Sequence, residues 1–345
     1  MSVAAHNPGG MAFVDLSVHP DALRRVFTRL GLATPGEPVI AQPLAGGVSS
    51  GIYRVDLATG RWCLKQALPR LKVAKLWEVP VERVFAEVEY LQVAGGIVPG
   101  QVPRVIGADT ETGSFVMPFL GEDFRNWKTL LLDGEVDAVF AARVGDLLGR
   151  IHAATAERQD LAHRFANDTN FHALRLEPYL EETARVHPQL ADVLLAAVRR
   201  TADIRHVLVH GDVSPKNILV GPGGPVLLDA ECAWYGDPAF DLAFCLNHLL
   251  LKSVHLPQLR QAWVQAYGQL TTTYFQYVRW EPRAALEQRT ALLLPALALA
   301  RVDGKSPVEY LRDAQRQQVR TAAIALLRNP PADLQHLARS WFTTP

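Results

Sequence analysis

The 345-residue chain carries 35 Lys and Arg against 35 Asp and Glu, a formal net charge of zero, with 49% hydrophobic and 20% charged residues. These are globular values that allow one large domain or two, and the absence of a basic block argues against a nucleic-acid partner. The most apolar run, 291–300, is too short to span a bilayer, and the first eight residues lack the regions of a signal peptide. Cys63, Cys232 and Cys245 stand in apolar contexts without metal spacing, as reduced thiols of a cytoplasmic protein do.

Residues 1–38 read as an extension followed by a helix over 19–30, with Leu23, Val26, Phe27 and Leu30 on one face and Gly31 at its end. Three strands are predicted next, at 39–44, 52–57 and 62–66. The first two are joined by AGGVSSG, where Gly46, Gly47, Ser49 and Ser50 leave room for backbone N–H groups to approach phosphates. Lys65 lies on the third. A helix over 80–94 presents Val81, Val84, Phe85, Val88 and Leu91 as an apolar stripe, with Glu87 on one border and Glu82 and Glu89 on the other. Periodicity alone does not say which glutamate meets Lys65. Strands at 101–108 and 114–117 complete a β-rich segment, 39–118, that ends in FVMPFLGED.

Residues 119–345 turn helical, with amphipathic stretches at 136–154, 174–180, 191–200, 240–251, 256–267, 282–300 and 307–327. Between them lies HVLVHGDVSPKNILVGPGGPVLLDAECAWYGDPAFDLA. It reads as a strand at 207–209 followed by a hairpin, strands 218–220 and 226–228 flanking the turn composition GPGGP. With Ile218 opposite Leu228, Asn217 and Asp229 would meet beside the loop carrying Asp212. A base, an amide and a carboxylate so gathered suit phosphoryl transfer, in which Mg²⁺ takes one or two carboxylates beside the nucleotide phosphates.

This segment resembles the catalytic segment of the aminoglycoside phosphotransferase and choline kinase family, relatives of the protein kinases. The resemblance implies an α+β, bilobal protein-kinase-like fold that uses ATP and Mg²⁺. His210 and Gly211 would support the loop, Asp212 would be the catalytic base, Asn217 and Asp229 would bind metal, and Asp241 would brace the loop backbone. By the same resemblance Lys65 meets the phosphates, Glu87 is its helix partner, and Met117 and Phe119 supply the adenine-holding hinge. The D-x-E of Asp229 and Glu231, with KQALP after the third strand, is similar to the methylthioribose kinase pattern and adds Glu231 to the metal set.

From Phe240 to Pro345 there are 12 Lys and Arg against 7 Asp and Glu. A site for polycations should be acidic, so this excess favours a neutral or anionic acceptor, a sugar or sugar derivative first, over an aminoglycoside or amino alcohol. Arg175, Tyr179 and Arg301 are candidate acceptor contacts, with Asp303 and Lys305 beside the last. A nucleotide-binding regulator without activity is the alternative of another class. The oligomeric expectation is a monomer or homodimer.

Overall fold

The computed structural model describes residues 13–44, 50–69, 81 and 83–343. The chain divides into two units: residues 1–96 with 102–123, and residues 97–101 with 124–345.

The first unit is built on a five-stranded antiparallel sheet. Ser50–Leu57 pairs with Gln42–Pro43 and Gly60–Ala67, and Ser114–Pro118 lies between Gly60–Ala67 and Gly107–Asp109. Two predicted strands shrink. The stretch 39–44 pairs at residues 42 and 43, with the Leu44 N–H donating to the Ile52 carbonyl at 2.8 Å, and 101–108 pairs from Gly107, with the Ile106 N–H donating to the Val116 carbonyl at 2.8 Å. Helix Pro20–Arg29 starts with proline and has Asp21 in its first turn and Arg29 in its last. Its Leu23, Val26 and Phe27 pack with Tyr53, Val55, Leu64 and Val116 in one core. Residues 20–29 are therefore part of this unit. Helix Arg83–Ile97 follows the stretch 70–80, which lies outside the described residues.

The second unit is mostly helical. Helices Ala138–Thr155, Pro238–His255, Arg260–Phe275 and Arg283–Asp303 carry most of its core, and Pro295 sits buried within the last. Helices Ala138–Thr155 and Arg260–Phe275 touch backbone to backbone at Gly145, where a Cβ would lie 2.3 Å from the Leu270 carbonyl oxygen and 3.2 Å from the Tyr274 nitrogen. Residues 172–181 form a π-helical stretch with Pro178 inside it, in place of the regular helix expected at 174–180. The C-terminal helix Leu334–Thr343 was not expected, although Leu334, Leu337, Trp341 and Phe342 recur at helical spacing and are buried.

Two small sheets hold the loops between these helices. Val207–Val209 pairs with Trp234–Gly236, and Arg125–Asn126, Ile218–Gly221 and Gly224–Leu227 form a three-stranded sheet. The hairpin register differs from the expected one by a single residue: Ile218 faces Leu227, not Leu228. The GPGGP turn is tighter than assumed, with both strands running into it to Gly221 and Gly224. Leu228 instead donates its N–H to the Asn217 carbonyl at 2.8 Å, which still brings Asn217 beside the residue before Asp229.

No helix among the described residues is long and apolar enough to cross a membrane. Gly145→Val should lower unfolding free energy by about 1–3 kcal/mol, because its neighbours at the contact are backbone atoms that cannot step aside. Gly268→Ala, with nothing within 4 Å of its added carbon, should raise it by about 0.5–1 kcal/mol. Urea titration of both variants checks the pair.

Candidate active site

One buried carboxylate organises the loop after Val209. Asp241, in the first turn of helix Pro238–His255, accepts the His210 N–H on Oδ2 at 2.7 Å and the Gly211 N–H on Oδ1 at 2.8 Å. His152 Nε2 lies 3.3 Å from the same Oδ2, and its Nδ1 is 2.8 Å from the Tyr274 hydroxyl. Helical periodicity assigned His152 to the core; it is buried, but as part of this network. Gly211 has φ +79°, and a Cβ there would fall 2.7 Å from the Cys232 carbonyl oxygen. Only glycine meets both conditions.

His210 is held as a neutral ring. Its Nδ1 accepts the Asp212 N–H at 3.1 Å, so Nε2 carries the proton and donates to the Leu228 carbonyl at 3.0 Å. Burial pushes its pKa down and favours this form. The ring thus ties the loop to the end of the hairpin.

Asp212 is 4% exposed and faces two cations, Arg175 Nη2 at 2.9 Å and Lys216 Nζ at 3.2 Å, both on Oδ2. Burial by itself would raise its pKa; Lys216 and Arg175 outweigh burial and hold the carboxyl far below the usual range. The group is charged at any physiological pH and only weakly basic. It suits orienting a hydroxyl and accepting its proton late, as the new bond forms, better than early abstraction.

Arg175, expected at an acceptor, has another task. Its Nε bonds the Gly211 carbonyl, Nη1 bonds the Leu174 carbonyl at 2.7 Å, and Nη2 bonds Asp212. Nothing in the sequence marked it as a clamp, because the contact joins residues 36 apart. Lys216 was also missed, although its place four residues after Asp212 in HGDVSPKN was visible.

Oxygen donors for a hard cation lie next to this loop. The Asn217 Nδ2 donates to the Asp212 carbonyl at 3.1 Å, which fixes the side chain and turns its amide oxygen to other use. Asp229 is half-buried with φ +68°, one of two non-glycine residues described in the left-handed region. Glu231 is 6% exposed, and its carbonyl accepts from Asn170 Nδ2 at 2.8 Å. Among the described residues no three His, Cys, Asp or Glu form a metal cluster. One or two carboxylates and an amide oxygen are the donor chemistry of Mg²⁺, which keeps waters and phosphate oxygens for its remaining positions.

In the first unit, Lys65 Nζ and Glu87 Oε2 are 2.6 Å apart, and both side chains are almost completely buried. Periodicity left three glutamates open; Glu87 is the one that meets Lys65, Glu89 is half-buried, and Glu82 lies outside the described residues. Ser50 opens its strand opposite Ala67 and is buried. Gly46, Gly47 and Ser49 lie outside the described residues. Met117 sits in the strand opposite Cys63. The Phe119 N–H donates to the Arg61 carbonyl at 3.0 Å, and its ring lies 5.1 Å below the Arg54 guanidinium.

Tyr179 and Arg301 do come together: the Tyr179 ring has Arg175 at 5.9 Å and Arg301 at 5.7 Å, and Arg301 Nη1 is 3.4 Å from its hydroxyl. Asp303 and Lys305 are committed elsewhere. Asp303 takes His187 at 2.7 Å and Arg320 at 2.6 Å, and Lys305 takes Glu177 at 2.7 Å.

Lys65→Ala would remove one member of a buried ion pair, so it should cost about 3–5 kcal/mol of stability as well as any binding function. The double change Lys65→Met with Glu87→Gln should recover most of that loss in the same urea titration. Asp212 makes a pH prediction. Its folded pKa lies below its unfolded value of about 4, so its ionisation contributes stability that is complete at neutral pH and is lost as pH falls below about 4. The acid-unfolding slope of Asp212→Asn should be shallower than that of the native chain.

The chain is similar to known proteins. Methylthioribose kinase of Erwinia tasmaniensis is 26% identical over 257 residues, 66% of this chain and 64% of that protein. The enzyme of that name from Bacillus velezensis is 29% identical over 221 residues, 55% of each chain. The chain thus spans slightly under two thirds of the length of the first of these relatives. Among solved structures, Plasmodium vivax ethanolamine kinase aligns over 94% of this chain and 93% of its own with TM-score 0.57 at 12% identity. An amicoumacin kinase in complex with AMP-PNP and Ca²⁺ aligns over 85% and 90% with TM-score 0.55 at 13% identity. These likenesses show a protein-kinase-like α+β fold. With a family model matching residues 40–282, the chain belongs to the phosphotransferase enzyme family.

Proposed function

We propose that the chain is an ATP- and Mg²⁺-dependent phosphotransferase that phosphorylates a hydroxyl of a small molecule, a sugar or sugar derivative first. The observation that carries this is the state of Asp212: a carboxylate fixed by Arg175 and Lys216 through one oxygen, beside an amide and two further carboxylates. A buried carboxylate held by two cations beside a metal-type donor set is the arrangement that a positioned catalytic group calls for. The names of the curated relatives support the reaction class.

In this reading both cations engage Oδ2, and Oδ1 orients the acceptor hydroxyl. The weakly basic carboxylate takes the proton as the oxygen–phosphorus bond forms, which suits a loose transition state in which the nucleophile need not ionise first. Lys216, on the same loop, lies where a cation offsets charge on the transferred group. A bound metal would supply positive charge to offset that of the phosphates; Asp229, the Asn217 amide oxygen and Glu231 are the residues that would hold it. Lys65, positioned by Glu87, provides the cation for the α- and β-phosphates. A nucleotide substrate and three thiols raised by burial, Cys63 to about 12, fit a cytoplasmic protein.

The inactive-regulator alternative would not need Asp212, and one variant separates the two. Asp212→Asn should keep MgATP binding, measured by calorimetry, and lose transfer by roughly two to four orders of magnitude. Turnover within threefold of the native chain would overturn the assignment.

A further inference from the structure

Helix Pro238–His255 carries a second set of groups that phosphoryl transfer does not use. Asp241, Phe244, His248 and Lys252 recur at steps of three and four and so share one face. The Asp241 end holds the catalytic loop. The far end is rich in cations and short of acceptors. Lys252 is 1% exposed, and its ammonium has no hydrogen-bond partner; it lies 5.0 Å from the Tyr310 ring. The Arg301 Nε and the Tyr310 hydroxyl are likewise buried without a partner.

A buried ammonium with only an aromatic face for company is costly, by several kcal/mol, and a methionine would fill the same space without that penalty. The carboxylate in electrostatic reach, Glu309, is already paired with Lys128. Burial first, then Lys128 and Arg301, push the Lys252 pKa down to about 7, with Glu309 and Cys245 opposing. His248 joins this cluster to the reaction centre. It lies within electrostatic reach of Lys252 and Arg301 and also of Asp212 and Lys216, and one helical turn, about 6 Å, separates it from Lys252.

We propose that Lys252, with Arg301 and the Tyr310 hydroxyl, seats an anionic group, a carboxylate or a phosphate, of the molecule whose hydroxyl Asp212 orients. The acceptor is then an anionic hydroxy compound, and a polyamine is excluded by the buried Lys252 ammonium and the Arg301 guanidinium, whose Nη1 is held by Ser306 and Tyr179 while its Nε is left without a partner. The word acceptor rests on the phosphotransferase reading; the anion seat does not.

Two measurements on the full chain separate these claims. The first titrates inorganic phosphate and D-glycerate into the native protein, Lys252→Met and Lys252→Arg by calorimetry. At least one anion should bind the native protein, at least tenfold more weakly the methionine variant, and within threefold the arginine variant. Which anion binds distinguishes phosphate from carboxylate. Without ligand, Lys252→Met should melt no lower than the native protein, since it removes an unpaired buried charge, so weaker binding is not misfolding. The second follows ADP release from MgATP with ribose 5-phosphate against ribose and D-glycerate against glycerol. The anionic member of at least one pair should be favoured at least tenfold in kcat/KM, and that preference should collapse in Lys252→Met. Equal anion affinity in the native and methionine forms, or preference for the neutral members, overturns the proposal. Lys252-dependent anion binding with no ADP release from any acceptor overturns the kinase reading and leaves the seat.

Discussion

The second unit's chemistry depends on the Asp241 carboxylate, which is fully buried and accepts two consecutive backbone N–H groups. A loop that must expose Asp212 cannot satisfy its own amides by regular structure, and buried amides without partners are expensive. A carboxylate supplies two strong acceptors at once, and its charge stays anchored by the helix that carries it. From this anchor follow the left-handed Gly211, the neutral His210 and the direction of Asp212. The loop is held from outside itself.

Much of this was legible in the sequence, in a characteristic way. HGD and Asn217 were visible because they lie within a few residues of each other, and DAE because a hairpin visible in composition returns the chain to them. The hairpin was legible in kind but not in register, because turn composition says that a chain reverses and not how many residues it uses; Ile218 came out opposite Leu227. The compensating Leu228 to Asn217 hydrogen bond could not be foreseen.

Arg175 and His152 show where a sequence goes silent. Arg175 read as an acceptor contact and His152 as a core residue, and both meet partners 30 or more residues away. The same holds for Lys252. In a list of twelve basic residues it is one of many, and only its burial and lack of a partner set it apart. The charge excess counted over 240–345 was too coarse to show this, because Arg320, Lys305 and Arg289 are neutralised by their own carboxylates. The informative cation is the one left over.

The backbone contact at Gly145 reaches further than its own helices. The Tyr274 nitrogen it touches belongs to the residue whose hydroxyl meets His152, and His152 meets Asp241. The spacing between two helices is thereby written into the position of a carboxylate that touches no substrate. Residue 145, which touches neither the loop nor its anchor, thus belongs to the frame that holds both, two hydrogen bonds removed from Asp241.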